Sequence, residues 1–352
     1  MPTKDLKEGQ VLLKVILGSL NPADINVIQG VYPAKPEKQS VPEVQDQVWI
    51  GGNEGFAVVE EVSQKGDSNG LKKGDWVVFG KPQMGVWRSG LICNAHDVIK
   101  IQDRQANSIT PVMASTLQVN PATAYRMLHD FQQLNSQQDA IIQNAANSAV
   151  GQAVAQIASR KLKVPSINLV RDRSDFKNLQ ELFHSYSNGD ENCKAHLFTY
   201  EALADRNSGV KEEIKSILGK RKIKLGLNAV CGTPNSNMVK LMSPNSTLVT
   251  YGAMSKQPLS IPAGLIIFHN MSVHGFMMNK WYAQNGLQER EELMKTLGEL
   301  YKEKVLEPPV HELIDLSSEQ DADQLTKKGK EAIENTMAGM GGKKIFFQFN
   351  KV

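Results

Sequence analysis

The sequence predicts an α/β protein in which a doubly wound parallel sheet is joined to a second, mostly β domain. Two patterns predict it. Short apolar runs alternate with helix-like segments through the middle of the chain, and strand-like runs punctuated by turn clusters precede them. A third observation completes the plan: the closing KKIFFQF follows the turn GMGG and reads as a strand returning to the first domain. The expected division is residues 1–115, 116–285 and 286–352, the last part rejoining the first.

Taken in order, VLLKVIL, GFAVVEEV, DWVVFG and DVIKI between residues 10 and 110 read as strands, separated by turns such as KGDSNGLKKGD. From about 120 to 285 the runs AIIQNA, SINLV, KLGLNAV and STLVTYG alternate with helical segments, the signature of a parallel sheet covered on both faces. Beyond 285, LQEREELMKTLGELYKEKVL places Leu293, Leu297 and Leu300 at helical spacing. No internal repeat or low-complexity tract is visible.

With 352 residues and 41% hydrophobic composition, the chain can bury a core in each of two domains, which excludes disordered and fibrous classes. No apolar run reaches the roughly 18 residues of a membrane span. Forty Lys and Arg against 37 Asp and Glu leave a net charge of +3, too balanced for a nucleic-acid footprint, although a small basic patch for an acidic partner is compatible. Cys93, Cys193 and Cys231 stand too far apart for a disulfide framework or a C-x-x-C metal pair, so a reducing compartment is expected. The opening MPTKDLKEG resembles neither a signal peptide nor a presequence, and no targeting segment is expected within it.

The segment DAIIQNAANSAVGQAVAQIASRKLKVPSINLVRDR, residues 139–173, reads as a βαβ unit, its helix presenting Val150, Ala153, Val154, Ile157 and Ala158 on one face. Laid over residues 146–151, the dinucleotide fingerprint G-x-G-x-x-G keeps only Gly151. The residues at its first two glycines, Ala146 and Ser148, are still small enough to leave room for a pyrophosphate, and Asn147 or Ser148 can cap the helix. A buried crossover without ligand is the competing reading. The next strand ends in Arg171-Asp172-Arg173, where NAD-binding units carry an acidic residue for the ribose 2′-hydroxyl. Two guanidinium groups there suit a 2′-phosphate and favour NADPH, with Asp172 directed away or paired locally; solvated charges are the alternative.

At this point the chain resembles the medium-chain dehydrogenase/reductase superfamily and, within it, the mitochondrial trans-2-enoyl thioester reductases of fatty acid synthesis. The resemblance rests on NPADINVIQGVYP, GGNEGFAVVEEV, KKGDWVV, GVWRS, VNPATAYRML, IIQNAANSAVGQAVAQIA, INLVRDR, LNAVCG, LVTYGAMSKQP and HGFMMNKW, in that order. It implies a GroES-like catalytic domain, a Rossmann domain and a mitochondrial location. The chain departs from the pattern at the strands usual before DLKEGQVLLKV, at the alanines of NAANSAVG and YGAM, and at Met277 in place of an aromatic. Zinc-dependent members carry a Cys near Pro22 or Ala23 and a His where GNEG has Asn53, so no metal site is expected.

The resemblance implies NADPH-dependent reduction of trans-2-enoyl thioesters on acyl carrier protein or coenzyme A, with hydride to the β-carbon and a proton to the α-carbon. It implies Tyr32 as the proton donor, a phenol that stays protonated near neutral pH, set in a turn between Gly30 and Pro33 that directs it toward a cleft; a packed loop aromatic is the bland alternative. For the cofactor it implies Asn120, which also reads as an N-cap, together with Asn147, Ser148, Ala149 and Val150, the Arg171, Asp172 and Arg173 run, and Tyr251, Gly252, Ala253 and Met254. Phe276, Met277, Met278 and Asn279 are implied on the nicotinamide and acyl side, and Lys343 at the cofactor phosphates, where a solvated charge is equally compatible. A homodimer through the edge near VHGFMM is implied, without nucleic-acid or membrane partners. An NADPH quinone reductase and a non-catalytic NADPH-binding protein are the alternative functions.

Overall fold

The computed structural model describes residues 6–32, 36–40, 45–106, 108–317, 321–338 and 343–352. Pro33 and the turn GMGG lie outside the described residues. The chain forms two compact units, one of Met1–Ala122, Asn279–Lys304 and Pro308–Val352, the other of Thr123–Met278 with Val305–Glu307. The crossovers fall a few residues from those expected at 115/116 and 285/286. One physical reason is Tyr282, whose buried hydroxyl donates to the Gln118 carbonyl at 2.8 Å and ties its segment to the first unit.

The first unit is a seven-stranded sheet built from β1 (Gln10–Ser19), β2 (Gly55–Val62), β3 (Trp76–Phe79), β4 (Gly90–Asn94), β5 (Val98–Lys100), β12 (His311–Asp315) and β13 (Lys344–Gln348), in the order β12-β13-β1-β2-β3-β5, with β4 also on β1. Pairing of Leu17 with Gln348 sets the antiparallel register between β1 and β13. Alternation places Val11, Leu13 and Val15 on one face of β1, where they join Ala57, Val59, Val77 and Phe79 in the core. Leu293, Leu297 and Leu300 are buried along the helix Leu287–Lys302.

The second unit is a parallel sheet of β6 (Asp139–Gln143), β7 (Ser166–Val170), β8 (Ala195–Thr199), β9 (Lys222–Asn228), β10 (Thr247–Thr250) and β11 (Ser272–Gly275), in the order β11-β10-β9-β6-β7-β8. Every residue of β6 and β7 is buried, as a sheet covered on both faces requires. Ile142, Ile167, Leu169 and Leu248 pack in one cluster there, each worth about 1.5–3 kcal/mol when fully buried.

The helix after β6 differs from its expected one-sided pattern. It runs Ala149–Gln156 and continues as a wider π turn, Ile157–Leu162. Gly151 through Ser159 are all buried, whereas Val150 is only partly so. Polar residues can be enclosed because they are satisfied: Gln152 donates to the Asn147 carbonyl at 2.9 Å, and Gln156 accepts from the Glu307 N–H at 2.9 Å.

Candidate active site

In the first unit the segment holding Tyr32 is built outward from a short helix, Pro22–Ile28, which has Asn21 at its N-cap and proline in its first turn. The Asn21 N–H donates to Asp24 Oδ2 at 2.8 Å, closing that end. At the other end Gly30 takes φ +71°, and the N–H groups of Val31 and Tyr32 both donate to the Asn26 carbonyl, at 3.0 and 3.1 Å. Tyr32 is partly buried, and its hydroxyl lies beside the Asn279 side chain. Burial foremost, then the charge of Asp24, pushes the phenol's pKa above its ordinary value, against a smaller opposing pull from Asn279. The shift favours the neutral phenol.

Behind this segment lies a buried polar cluster. Asp24 Oδ1 accepts from the Asn53 side-chain amide at 2.7 Å and from its backbone N–H at 3.0 Å. Glu54, fully buried, accepts from the Asn21 amide at 2.8 Å and from the Val119 N–H at 2.8 Å. The Lys344 ammonium donates to Asn21 Oδ1 and lies 3.6 Å from Glu54 Oε2. Burial raises the pKa of both carboxyl groups and lowers that of the lysine, and the mutual attraction works against these shifts. Asn120 opens the helix Asn120–Asp130 and directs its amide to Glu54 Oε2 at 3.4 Å. Lys343 is exposed, with its Nζ 3.7 Å from Glu312 Oε2.

The second unit carries most of the residues expected for the cofactor; Asn120, Asn279 and Lys343 belong to the first. Ser148 caps the helix Ala149–Gln156, its hydroxyl accepting from the Gly151 N–H at 3.1 Å; Asn147 does not take that role. The turn needs Gly151 for space: a Cβ there would sit 2.4 Å from the Ala146 carbonyl oxygen and 2.6 Å from its Cα. Ala145 absorbs the left-handed conformation at φ +50°, and its N–H donates to the Tyr200 hydroxyl at 2.8 Å. The Tyr251 hydroxyl is buried beside Ser148 without a hydrogen bond of regular geometry among the described residues.

The two arginines after β7 are not equivalent. Arg173 grips Asp175 through both ends of its guanidinium, with the second bond at 2.8 Å, and thereby holds that carboxyl below its usual range. Arg171 is exposed, and its charge is felt by Tyr200 at the turn. Asp172 is also exposed, its N–H donating to Glu201 at 3.0 Å. Beyond β10, the Tyr251 N–H bonds the Asn228 carbonyl and the Met254 N–H bonds the Ala229 carbonyl, both at 2.9 Å, fixing the run through Gly252 and Ala253. Phe276 packs edge-on against Phe131 at 5.9 Å; Met277 is exposed and Met278 buried.

These residues fit a nicotinamide dinucleotide. The cradle beside Gly151 admits no Cβ, the Tyr251 hydroxyl has unspent hydrogen-bonding capacity, and Arg171 offers a guanidinium at the end of β7. Asp24, Glu54, Lys344 and Tyr200 escaped the sequence reading. For Asp24 a local signal was available, three residues after the Asn21 N-cap; Glu54 and Lys344 are brought together only by the fold. Among the described residues, no group of three or more His, Cys, Asp or Glu can hold a metal ion, and no helix is long and apolar enough to cross a membrane.

An alcohol dehydrogenase GroES-like domain model matches residues 7–103. Together with the parallel dinucleotide-type sheet, that match defines a medium-chain dehydrogenase/reductase. The mitochondrial enoyl-[acyl-carrier-protein] reductase of Yarrowia lipolytica is 36% identical over 349 residues, 99% of this chain and 86% of the relative. The Homo sapiens enzyme of the same name is 36% identical over 323 residues, 92% of this chain and 79% of its own. Among solved structures, the mitochondrial 2-enoyl thioester reductase Etr1p/Etr2p heterodimer from Candida tropicalis superposes with a TM-score of 0.85 at 29% identity, covering 99% of this chain and 93% of that one. The Etr1p complex with NADP and crotonyl-CoA gives 0.84 at 29% identity with the same coverage. The chain belongs to the family of mitochondrial enoyl-[acyl-carrier-protein] reductases.

Proposed function

We propose that this chain reduces trans-2-enoyl thioesters to saturated acyl thioesters in the mitochondrion, using NADPH, with Tyr32 as the proton donor. The observation that carries the reading is the Tyr32 hydroxyl, partly buried beside Asn279 with its pKa raised, in a chain related over 99% of its length to a mitochondrial enoyl-[acyl-carrier-protein] reductase. The NADP and crotonyl-CoA bound by the similar Etr1p supply the cofactor and substrate class.

The chemistry that NADPH contributes when bound is a hydride for the β-carbon of the enoyl group. The electron pair of the double bond then rests on the thioester oxygen as an enolate. Tyr32 transfers its proton to the α-carbon as that charge collapses, and the phenolate recovers a proton from water. A second route to the same product has Tyr32 hold the enolate by a hydrogen bond while water protonates the carbon. Ser148, Arg171, Arg173 and the run Tyr251–Met254 serve cofactor binding, with Asn147, Ala149 and Val150 at the helix start and Asn120 and Lys343 as further contacts. Comparing a crotonyl thioester with a quinone as oxidant of NADPH tests the reading: faster thioester turnover is expected, and turnover with quinone alone contradicts it.

The enzyme works as a homodimer. β11 ends its sheet with all four residues exposed, Phe268 is 82% exposed nearby in sequence, and an unpaired strand edge with apolar neighbours favours pairing with a second copy. Light scattering at micromolar concentration should give twice the chain mass; a monomer mass refutes the assembly.

A further inference from the structure

The buried cluster behind Tyr32 has a feature that the reaction itself does not call for. Two carboxylates, Asp24 and Glu54, share one ammonium, Lys344, with side-chain exposures of 0% for Glu54 and 7% for Lys344. Burying three ionisable groups is costly, and a well-packed apolar set is often no less stable, so the cluster calls for a role beyond stability.

Asn21 shows what the cluster does. Its backbone N–H binds Asp24, its side-chain N–H binds Glu54, its side-chain Oδ1 accepts from Lys344, and its backbone carbonyl accepts from the Asp24 N–H at 3.0 Å. Every polar group of the N-cap that leads into the helix Pro22–Ile28 is thus committed, and the Asn26 carbonyl of that helix holds the backbone of Val31 and Tyr32. Glu54 also fixes the Val119 N–H, immediately before Asn120. The last strand therefore reaches the catalytic turn through one hydrogen-bonded residue.

We propose that Lys344 is a positioning residue for catalysis, anchoring Asn21 and Glu54 so that the Pro22–Ile28 helix holds Tyr32 in register with Asn279. This inference rests on the reading of Tyr32 as the proton donor in enoyl thioester reduction. Lys344 touches neither substrate nor reacting atoms in this role. It sets where the phenol stands, and a misplacement of about 1 Å at a reacting group can cost about 100-fold in rate.

Two variants test it. Lys344→Met leaves two buried carboxylates without a counter-ion and is expected to lower both stability and turnover. Glu54→Gln/Lys344→Met removes the orphan charge nearest the lysine, leaves Asp24 held by Asn21 and Asn53, and keeps an acceptor for the Val119 N–H, but still lacks the donor to Asn21. For the double variant we expect a native fold by circular dichroism, NADPH affinity by fluorescence within about twofold of wild type, and turnover of a crotonyl thioester lowered about 10- to 100-fold. A merely structural lysine would not separate turnover from cofactor binding in this way. Wild-type turnover in the folded double variant overturns the proposal. Equal losses of turnover and NADPH binding overturn it as well, and so does failure of both variants to fold, because the lysine then serves the whole unit. A wild-type enzyme that does not reduce the thioester instead refutes the functional reading, a result separable from any comparison of variants.

Discussion

Asn53 holds Asp24 twice, with its side-chain amide at 2.7 Å and its backbone N–H at 3.0 Å from the same carboxylate oxygen. Zinc-dependent members of the superfamily carry a histidine at this position. Here it is an amide committed to the helix that leads into the turn of Tyr32. Asp24 in turn adds to the burial that raises the Tyr32 pKa, so one contact connects the GGNEG loop to the acidity of the proton donor.

That link has a pH signature. An ordinary tyrosine titrates near about 10, and Tyr32 lies above its ordinary value because burial and Asp24 disfavour the phenolate. Its proton is present below the raised value and lost only above it. Turnover should show no alkaline decline from this group between neutral pH and about 10. Asp24→Asn removes the neighbouring charge and should move the alkaline limb to lower pH, provided that the variant folds. A limb that does not move would mean that Asp24 does not act on the donor.

Coenzyme choice should rest unequally on the two arginines. Charge-assisted bonds to phosphate are worth roughly 1.5–3 kcal/mol, about one to two powers of ten. Arg171→Ala should raise the Michaelis constant for NADPH about 10- to 100-fold and leave NADH nearly unchanged. Arg173→Ala should cost less, because Asp175 already occupies its guanidinium. Equal losses with both coenzymes would assign the arginines to the fold.

Gly151 tests the cradle. A methyl group there would overlap the Ala146 carbonyl oxygen at 2.4 Å and its Cα at 2.6 Å, both of them backbone atoms that cannot swing aside. Gly151→Ala should cost about 1–3 kcal/mol of stability and weaken NADPH binding, measured by urea unfolding and fluorescence titration. A variant of unchanged stability and affinity would contradict the tight packing of this turn.

Acid sensitivity should have one identifiable source in β8. Burial first, then the charges of His184 and Lys194, holds His196 down to about 4 from an ordinary value of about 6.5. The folded state thus favours the neutral ring, so its contribution is complete above about pH 6.5 and is lost as pH falls from there through about 4. Burial raises Asp24 and Glu54, which acts in the opposite sense in acid, so the comparison must be with His196→Gln. The urea midpoint of wild type should fall relative to that variant between these pH values. Parallel profiles would remove His196 from the acid response.

Much of the sheet was legible because β1, β2, β6, β7 and β9 combine apolar runs with turn residues at both ends. Other strands were not. β11 is exposed at all four positions, and β12 is mostly exposed, so neither carries the alternation that marks a half-buried strand. The helix start at Ser148 and the charged run after β7 could be located because spacing along a βαβ unit is fixed by backbone geometry. The inequality of Arg171 and Arg173 was hidden, since it depends on Asp175 two residues on. The Lys344 cluster was hidden for a deeper reason: its partners lie up to 323 residues apart, and nothing local distinguishes a buried lysine from the exposed Lys343 beside it.

The most direct test of the account is Tyr32→Phe, which keeps the ring and removes only the hydroxyl. NADPH oxidation by a crotonyl thioester and NADPH binding by fluorescence are measured on one preparation of each protein. General acid contributions are typically about 100- to 10,000-fold, so turnover should fall by at least about 100-fold while NADPH affinity stays within about twofold of wild type. A folded Tyr32→Phe enzyme that retains more than about half of wild-type turnover would contradict the assignment of the proton to Tyr32.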